Sequence, residues 1–276
     1  MAADEVRSAP VARLLELGEP SCTGAADWQN YLDLDLGPEH IPALIILATD
    51  LSLLNDPDET DRQSWGPVHA WRALGQLHAQ PAIEPLINLF HSVPDNDWVI
   101  EEMPDVFAFI GPGAFQPLAD YLANVTRPTY ARLIAATSLM EIARQAPEMR
   151  ELAITALVEQ LAVFRSNSPG VNGVLIANLI EMQASEQADL IHRVFVEGKV
   201  DRFIVGDWRD VRLLLAPNGR ASVRSTGSPA ANIKKVPLDG QERAADAGSV
   251  RSAANEPRTQ PRASAEPRTQ PRSTSA

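Results

Sequence analysis

Between Trp65 and Phe90 the apolar residues Val68, Trp71, Leu74 and Leu77 fall three apart, followed by Ile83, Leu86, Leu89 and Phe90. Each set lies along one side of a 3.6-residue helix, so the segment predicts two amphipathic helices joined across Ala79-Gln80-Pro81. Slid along the chain until Val68 overlays Ile100, the pattern meets itself without a gap. Trp71 then overlays Met103, Leu74 overlays Val106, and Leu77 overlays Phe109. In the second helix Ile83 overlays Phe115, Leu86 overlays Leu118, Leu89 overlays Tyr121, and Phe90 overlays Leu122. Pro85 and Pro117 also coincide, near the first turn of the second helix, where a missing N–H costs little. Gly111-Pro112-Gly113 supplies the turn in the second copy.

Looser copies extend the array. Ala153–Leu161 (AITALVEQL) repeats the pattern of Ala114–Leu122, and Gln187–Phe195 (QADLIHRVF) repeats it once more. Their first helices are predicted over Pro128–Ala146 and Gly170–Ala184. Upstream, Ile41–Leu47 (IPALIIL) matches Ile83–Leu89 (IEPLINL), and Arg202–Ala216 reads as a capping segment. A period of 32 to 42 residues with two helices per unit predicts an all-α fold, an α-solenoid of about five helix pairs. No unit buries its apolar face alone; stacking completes the interior. Residues 1–37 are expected to form a lead-in helix or cap, 38–216 the repeats with their C-terminal cap, and 217–276 a separate tail.

Composition supports that division. The chain has 276 residues, 45% of them hydrophobic, and a net charge of −12. From Pro217 onward there are ten Lys or Arg against five acids and no Trp, Tyr or Phe, so the whole acidic excess lies before Pro217. Such a Pro/Arg/Ser/Ala-rich tail cannot bury enough apolar surface to offset its ordering entropy, and disorder is predicted. Within it Glu256–Arg262 (EPRTQPR) recurs as Glu266–Arg272. That repeat reads either as a docking tether or as a tolerated duplication.

Ala70–Leu77 (AWRALGQL) followed by Ala82–Phe90 (AIEPLINLF) resembles the HEAT-like repeats named after phycobilisome lyases, and Ala136–Ala143 (ATSLMEIA) is a related form. The chain from about position 40 to 215 is similar to an uncharacterised bacterial family built on such repeats. Asp95–Leu118 (DNDWVIEEMPDVFAFIGPGAFQPL) and Val200–Val211 (VDRFIVGDWRDV) carry most of that likeness. The resemblance implies HEAT-like pairs and a binding surface more than a reaction, since members of the class act as scaffolds, as regulators and, in one branch, as bilin-attaching lyases.

Polar positions on the second helices align by the same offsets. Glu84, Gln116, Thr155 and Asp189 form one row; Asn88, Asp120, Glu159 and Arg193, each one turn later, form another. In solenoids the second helices usually line the concave side, so this net-acidic ladder is the candidate surface for a basic or polar segment of a partner protein. The same pattern is what any amphipathic helix presents to solvent. Asp95, Asp97, Glu101, Glu102 and Asp105 surround Trp98. Acids at a helix start suit the positive end of its dipole, and Trp98 reads either as a peptide-binding edge or as packing against the neighbouring unit. The Asp56, Asp58, Glu59 and Asp61 loop reads as a solvated connection.

Catalytic constellations are not found. His40, His69, His78, His91 and His192 form no HExxH or HxxxH pair, and each reads as a surface or inter-repeat histidine. There is no phosphate loop and no Gly-x-Ser-x-Gly elbow. Cys22 is the single cysteine, which excludes an internal disulfide and suits a reducing compartment. An acidic body disfavours nucleic acid, and no apolar run reaches the roughly 18 to 20 residues of a membrane span. The expectation is a cytoplasmic, non-enzymatic interaction scaffold without metal or cofactor. The alternative is a lyase-like or chaperone role toward a chromophore-carrying or nascent protein.

Overall fold

A computed structural model of the chain describes residues 9–20, 24–55, 60–93 and 96–216. Among these residues every regular element is helical and there is no strand. Four 3-10 turns, Val11–Glu16, Ala25–Asp27, Tyr31–Leu34 and Pro38–His40, lead into α1 (Ile41–Ala48) and the short α2 (Leu51–Leu54). The helices that follow are α3 (Gly66–Gln76), α4 (Ile83–Ser92), α5 (Asp97–Ile110), α6 (Phe115–Ala123), α7 (Thr129–Gln145), α8 (Arg150–Ala162), α9 (Pro169–Glu181) and α10 (Ala188–Val196). The short α11 (Arg202–Val205) and α12 (Trp208–Leu215) close the described chain. The predicted tail, Cys22, and the loop acids Asp56, Asp58 and Glu59 lie outside the described residues, as does Asp95.

Local chemistry sets the helix limits. Asn96 caps α5 by accepting from the Val99 N–H at 3.1 Å, and Ser168 caps α9 by accepting from Val171. Gly111 ends α5 at φ 97°, a left-handed value that a Cβ would oppose. Pro85 and Pro117 fall at the third residue of α4 and α6, as the sequence predicts.

Packing follows chain order. The first helices of successive pairs meet one another, α3 with α5, α5 with α7, α7 with α9 and α9 with α11. Among the second helices α4 meets α6, α6 meets α8, and α10 meets α12. One apolar cluster runs from Val11 to Leu215. The second helices have the expected amphipathic form; α10 buries only Ile191, Val194 and Phe195.

The first helices depart from the amphipathic expectation. Every residue is buried from Gly66 to Gly75 in α3, from Tyr130 to Ala143 in α7 and from Gly170 to Ile180 in α9. The cause is that each is enclosed on several sides; α7 touches α4, α5, α6, α8 and α9. Their polar side chains find partners inside, as burial requires. Ser138 Oγ donates to the Ile134 carbonyl at 2.8 Å, and Arg132 Nε donates to the Leu122 carbonyl at 2.8 Å. Asn172 Nδ2 donates to both the Phe164 and Lys199 carbonyls, at 2.9 and 2.8 Å.

Neighbouring pairs are also tied at the helix ends. The last carbonyls of a helix have no partner within it. For α5 they accept from the preceding turn, with Gln80 Nε2 reaching Ile110 at 3.0 Å and His78 Nδ1 reaching Phe109. For α9, Arg150 Nε and Nη2 reach the Met182 carbonyl just past the helix end at 3.2 and 3.1 Å, a cation placed at the negative end of the dipole.

The α9–α11 contact depends on a missing side chain. A Cβ on Gly173 would stand 2.9 Å from Ile204 Cδ1 and 3.3 Å from the Asp201 carbonyl oxygen. Gly173→Leu therefore pushes α11 outward and costs about 1–3 kcal/mol, read as a lower midpoint in urea denaturation. An unchanged midpoint would show that the two helices do not touch.

Candidate functional site

All eight ladder positions, Glu84, Asn88, Gln116, Asp120, Thr155, Glu159, Asp189 and Arg193, are exposed. They stand on α4, α6, α8 and α10, and the apolar residues between them, such as Leu86, Leu118, Leu157 and Ile191, are fully buried. Three members are engaged within their own helix. Gln116 Nε2 donates to Asp120 Oδ1 at 2.8 Å, and Thr155 Oγ1 donates to the Glu151 carbonyl at 2.8 Å. Thr155 thus offers a methyl group and an already donated hydroxyl, while four carboxylates set the charge of the surface.

Trp98 is half-buried and meets Trp65 edge-on, ring centres 5.2 Å apart, so it packs against the preceding pair. Around it the acids divide. Asp97 is exposed in the first turn of α5, where the helix dipole favours it. Glu102 is fully buried, which corrects its reading as a helix-start acid. It accepts from Arg72 Nε at 2.8 Å and from Trp71 Nε1 at 3.0 Å, and it pairs with Arg72 Nη2 as well. Burial works against the Arg72 charge, but the Glu102 carboxylate outweighs it and holds the guanidinium above its ordinary pKa. The other face of that guanidinium lies over the Trp28 ring, 5.0 Å from its centre.

Beside this pair α3 holds the N-terminal turns. Tyr31 Oη donates to His69 Nδ1 at 2.6 Å, and His69 Nε2 donates to the Gly18 carbonyl at 2.8 Å, an arrangement that needs the neutral ring. Burial lowers the His69 pKa to about 4 and raises that of Tyr31 to about 12. Gln76 completes the row, accepting from the Tyr31 N–H at 2.8 Å and donating to the Gln29 carbonyl at 2.9 Å. His69 is therefore an internal tie and not a surface histidine. His78 does link two pairs, through Phe109, but it lies beyond the end of α3 at φ 49°.

A third polar group spans α5 and α7. Arg144, largely exposed, donates from Nε to Glu141 Oε2 at 2.5 Å and places Nη2 3.5 Å from Asp105 Oδ1. Burial pushes the Glu141 carboxyl up to about 7, with Arg144 opposing and Asp105 and Glu181 adding to the rise. This cluster and the Arg72–Glu102 pair escaped sequence analysis because their members belong to different repeats or read as surface charge. The available signal was Arg72 inside an apolar run, with an acid close to one repeat further on.

The Arg72–Glu102 pair and the Tyr31–His69 hydrogen bond are both enclosed in the interior. Among the described residues no group of three His, Cys, Asp or Glu side chains could hold a metal ion. No described helix is long and apolar enough to cross a membrane. The chain matches no protein-family model, no curated protein and no solved structure.

Proposed function

We propose that this protein is a non-enzymatic interaction scaffold, an α-solenoid of HEAT-like helix pairs whose second-helix face binds a basic or polar segment of a partner protein. Support for the solenoid comes from the chain-order contacts of the first helices and from the ties between successive pairs. The observation that carries the binding surface is the exposure of all eight ladder positions on four consecutive second helices. Glu84, Asp120, Glu159 and Asp189 outnumber Arg193 and leave that face net acidic, which favours encounter with a cationic segment.

The test is affinity capture with the wild-type chain and with Asp120→Lys combined with Glu159→Lys. Both sites are exposed, so the melting temperature should stay the same. A partner captured by the wild type should be lost by the variant, an affinity drop of about tenfold or more, and its binding should weaken with salt. Equal capture by both chains would remove the second-helix face from the account.

A further inference from the structure

The arginines are not used evenly along the chain. Of the twelve described, those from Arg13 to Arg165 are all ion-paired, hydrogen-bonded or stacked on an aromatic ring. The four guanidinium groups that make no ion pair, hydrogen bond or ring contact with a described residue are those of Arg193, Arg202, Arg209 and Arg212. All four stand on α10, α11 and α12. The carboxylates nearby are occupied. Asp207 Oδ1 accepts from the Arg209 and Asp210 N–H groups at 2.7 and 3.2 Å, and Asp210 Oδ2 accepts from the Asp207 N–H at 2.9 Å. Asp201 caps α11 through the Phe203 N–H, and Glu197 pairs with Arg165.

A groove of about 320 Å³ is lined by two of these cations, Arg202 and Arg209, and by the Asp207 carboxylate between them in sequence. Aromatic rings line it, with the His192 ring stacked on Trp208 at 4.6 Å between centres and Phe195 at 5.9 Å from the same indole. Val196 lines it as well. Val196 is 72% exposed and Phe203, next to Arg202, is 76% exposed. A terminal unit of a stacked array is expected to turn a polar face outward. This one presents stacked aromatic rings beside two arginines that pair with no described residue.

We propose that the groove between α10 and α12 docks an acidic peptide segment of a partner protein, with an aromatic or apolar anchor residue seated against Trp208 and flanking carboxylates on Arg202 and Arg209. Arginine forks suit carboxylates, and an anchor placed in an aromatic pocket with charged neighbours is the usual composition of a strong contact. A lipid surface fits less well, because it would press Asp201, Asp207 and Asp210 against anionic headgroups along with the arginines. The groove shares α10 with the acidic ladder, but none of its lining residues is a ladder position, and its charge preference is the opposite one.

The experiment uses the full chain and a fluorescein-labelled peptide with one tryptophan between glutamates, read by anisotropy. The acidic peptide should bind at least tenfold tighter than its Glu-to-Gln counterpart, with affinity falling as salt rises from about 0.05 to about 0.5 M. Arg202→Glu with Arg209→Glu should weaken binding tenfold or more at an unchanged melting temperature, and Arg202→Gln with Arg209→Gln should weaken it less. Asp120→Lys with Glu159→Lys, which tests the ladder, should leave this binding intact. Equal affinity for the two peptides, or full affinity in the glutamate variant, overturns the proposal. So does cosedimentation with phosphatidylserine vesicles in the absence of peptide binding.

Discussion

Glu102→Ala should destabilise the protein by about 3–5 kcal/mol and lower its melting temperature by roughly 10 °C. The carboxylate is fully buried and takes hydrogen bonds from Arg72 and Trp71 together. Removing it leaves the Arg72 guanidinium, itself 3% exposed, without its counter-ion in a place water does not reach. It also strands the indole N–H of Trp71, a ring with no exposed surface. The expense lies in the orphaned charge more than in the lost attraction. Arg72→Met combined with Glu102→Leu should therefore recover most of the loss, since apolar pairs of similar volume are tolerated in such positions. Urea denaturation of both variants decides it. A loss below about 1 kcal/mol in the single variant, or a double variant as weak as the single, would show that the pair is not sealed from solvent.

The pH dependence of stability should hide two opposing slopes. His69 has its folded pKa lowered to about 4 from an ordinary 6.5, so the unfolded chain binds its proton first. Its neutral form stabilises the fold above pH 6.5, and that contribution, about 3 kcal/mol, is lost as the pH falls toward 4. Glu141 is shifted the other way, from 4.5 up to about 7, so here the folded chain holds the proton. Its contribution is present below pH 4.5 and lost as the pH rises toward 7, again about 3 kcal/mol. Between pH 4.5 and 6.5 the two nearly cancel. Glu141→Gln removes one of them, so its melting temperature should climb steeply with pH over that window and exceed the wild type's above pH 7. A variant whose profile runs parallel to the wild type's would show that Glu141 titrates as an ordinary surface carboxyl.

Sequence periodicity located the second helices almost to the residue, because α4, α6 and α10 each bury one stripe and expose the rest. Pro85, Pro117 and Gly111 marked ends that backbone geometry requires. The ladder was legible for the same reason; one exposed face on repeated helices is a statement about spacing. The first helices were harder. Val68, Trp71 and Leu74 announced a stripe, yet His69, Arg72 and Gly75 between them are buried too. Burial all round a helix is decided by what covers its far side, and for α3 that cover is the Tyr31–Leu34 turn, far upstream in the chain. Polar residues then mislead, since Arg72, His69 and Asn172 look solvent-facing until their partners are known. The groove at α10–α12 was beyond reach for a related reason. Nothing in the spelling of Asp207 and Asp210 tells that backbone N–H groups claim them and leave the Arg209 side chain uncommitted.

Asn172 has a consequence for how such a chain can change length. One amide nitrogen serves two carbonyls from two different turns, Phe164 behind it and Lys199 ahead. A segment inserted or deleted at that seam would have to bring its own donor in the same place, or two peptide oxygens would lose their hydrogen bond. The joints of this molecule are written individually, each by its own side chain at its own turn.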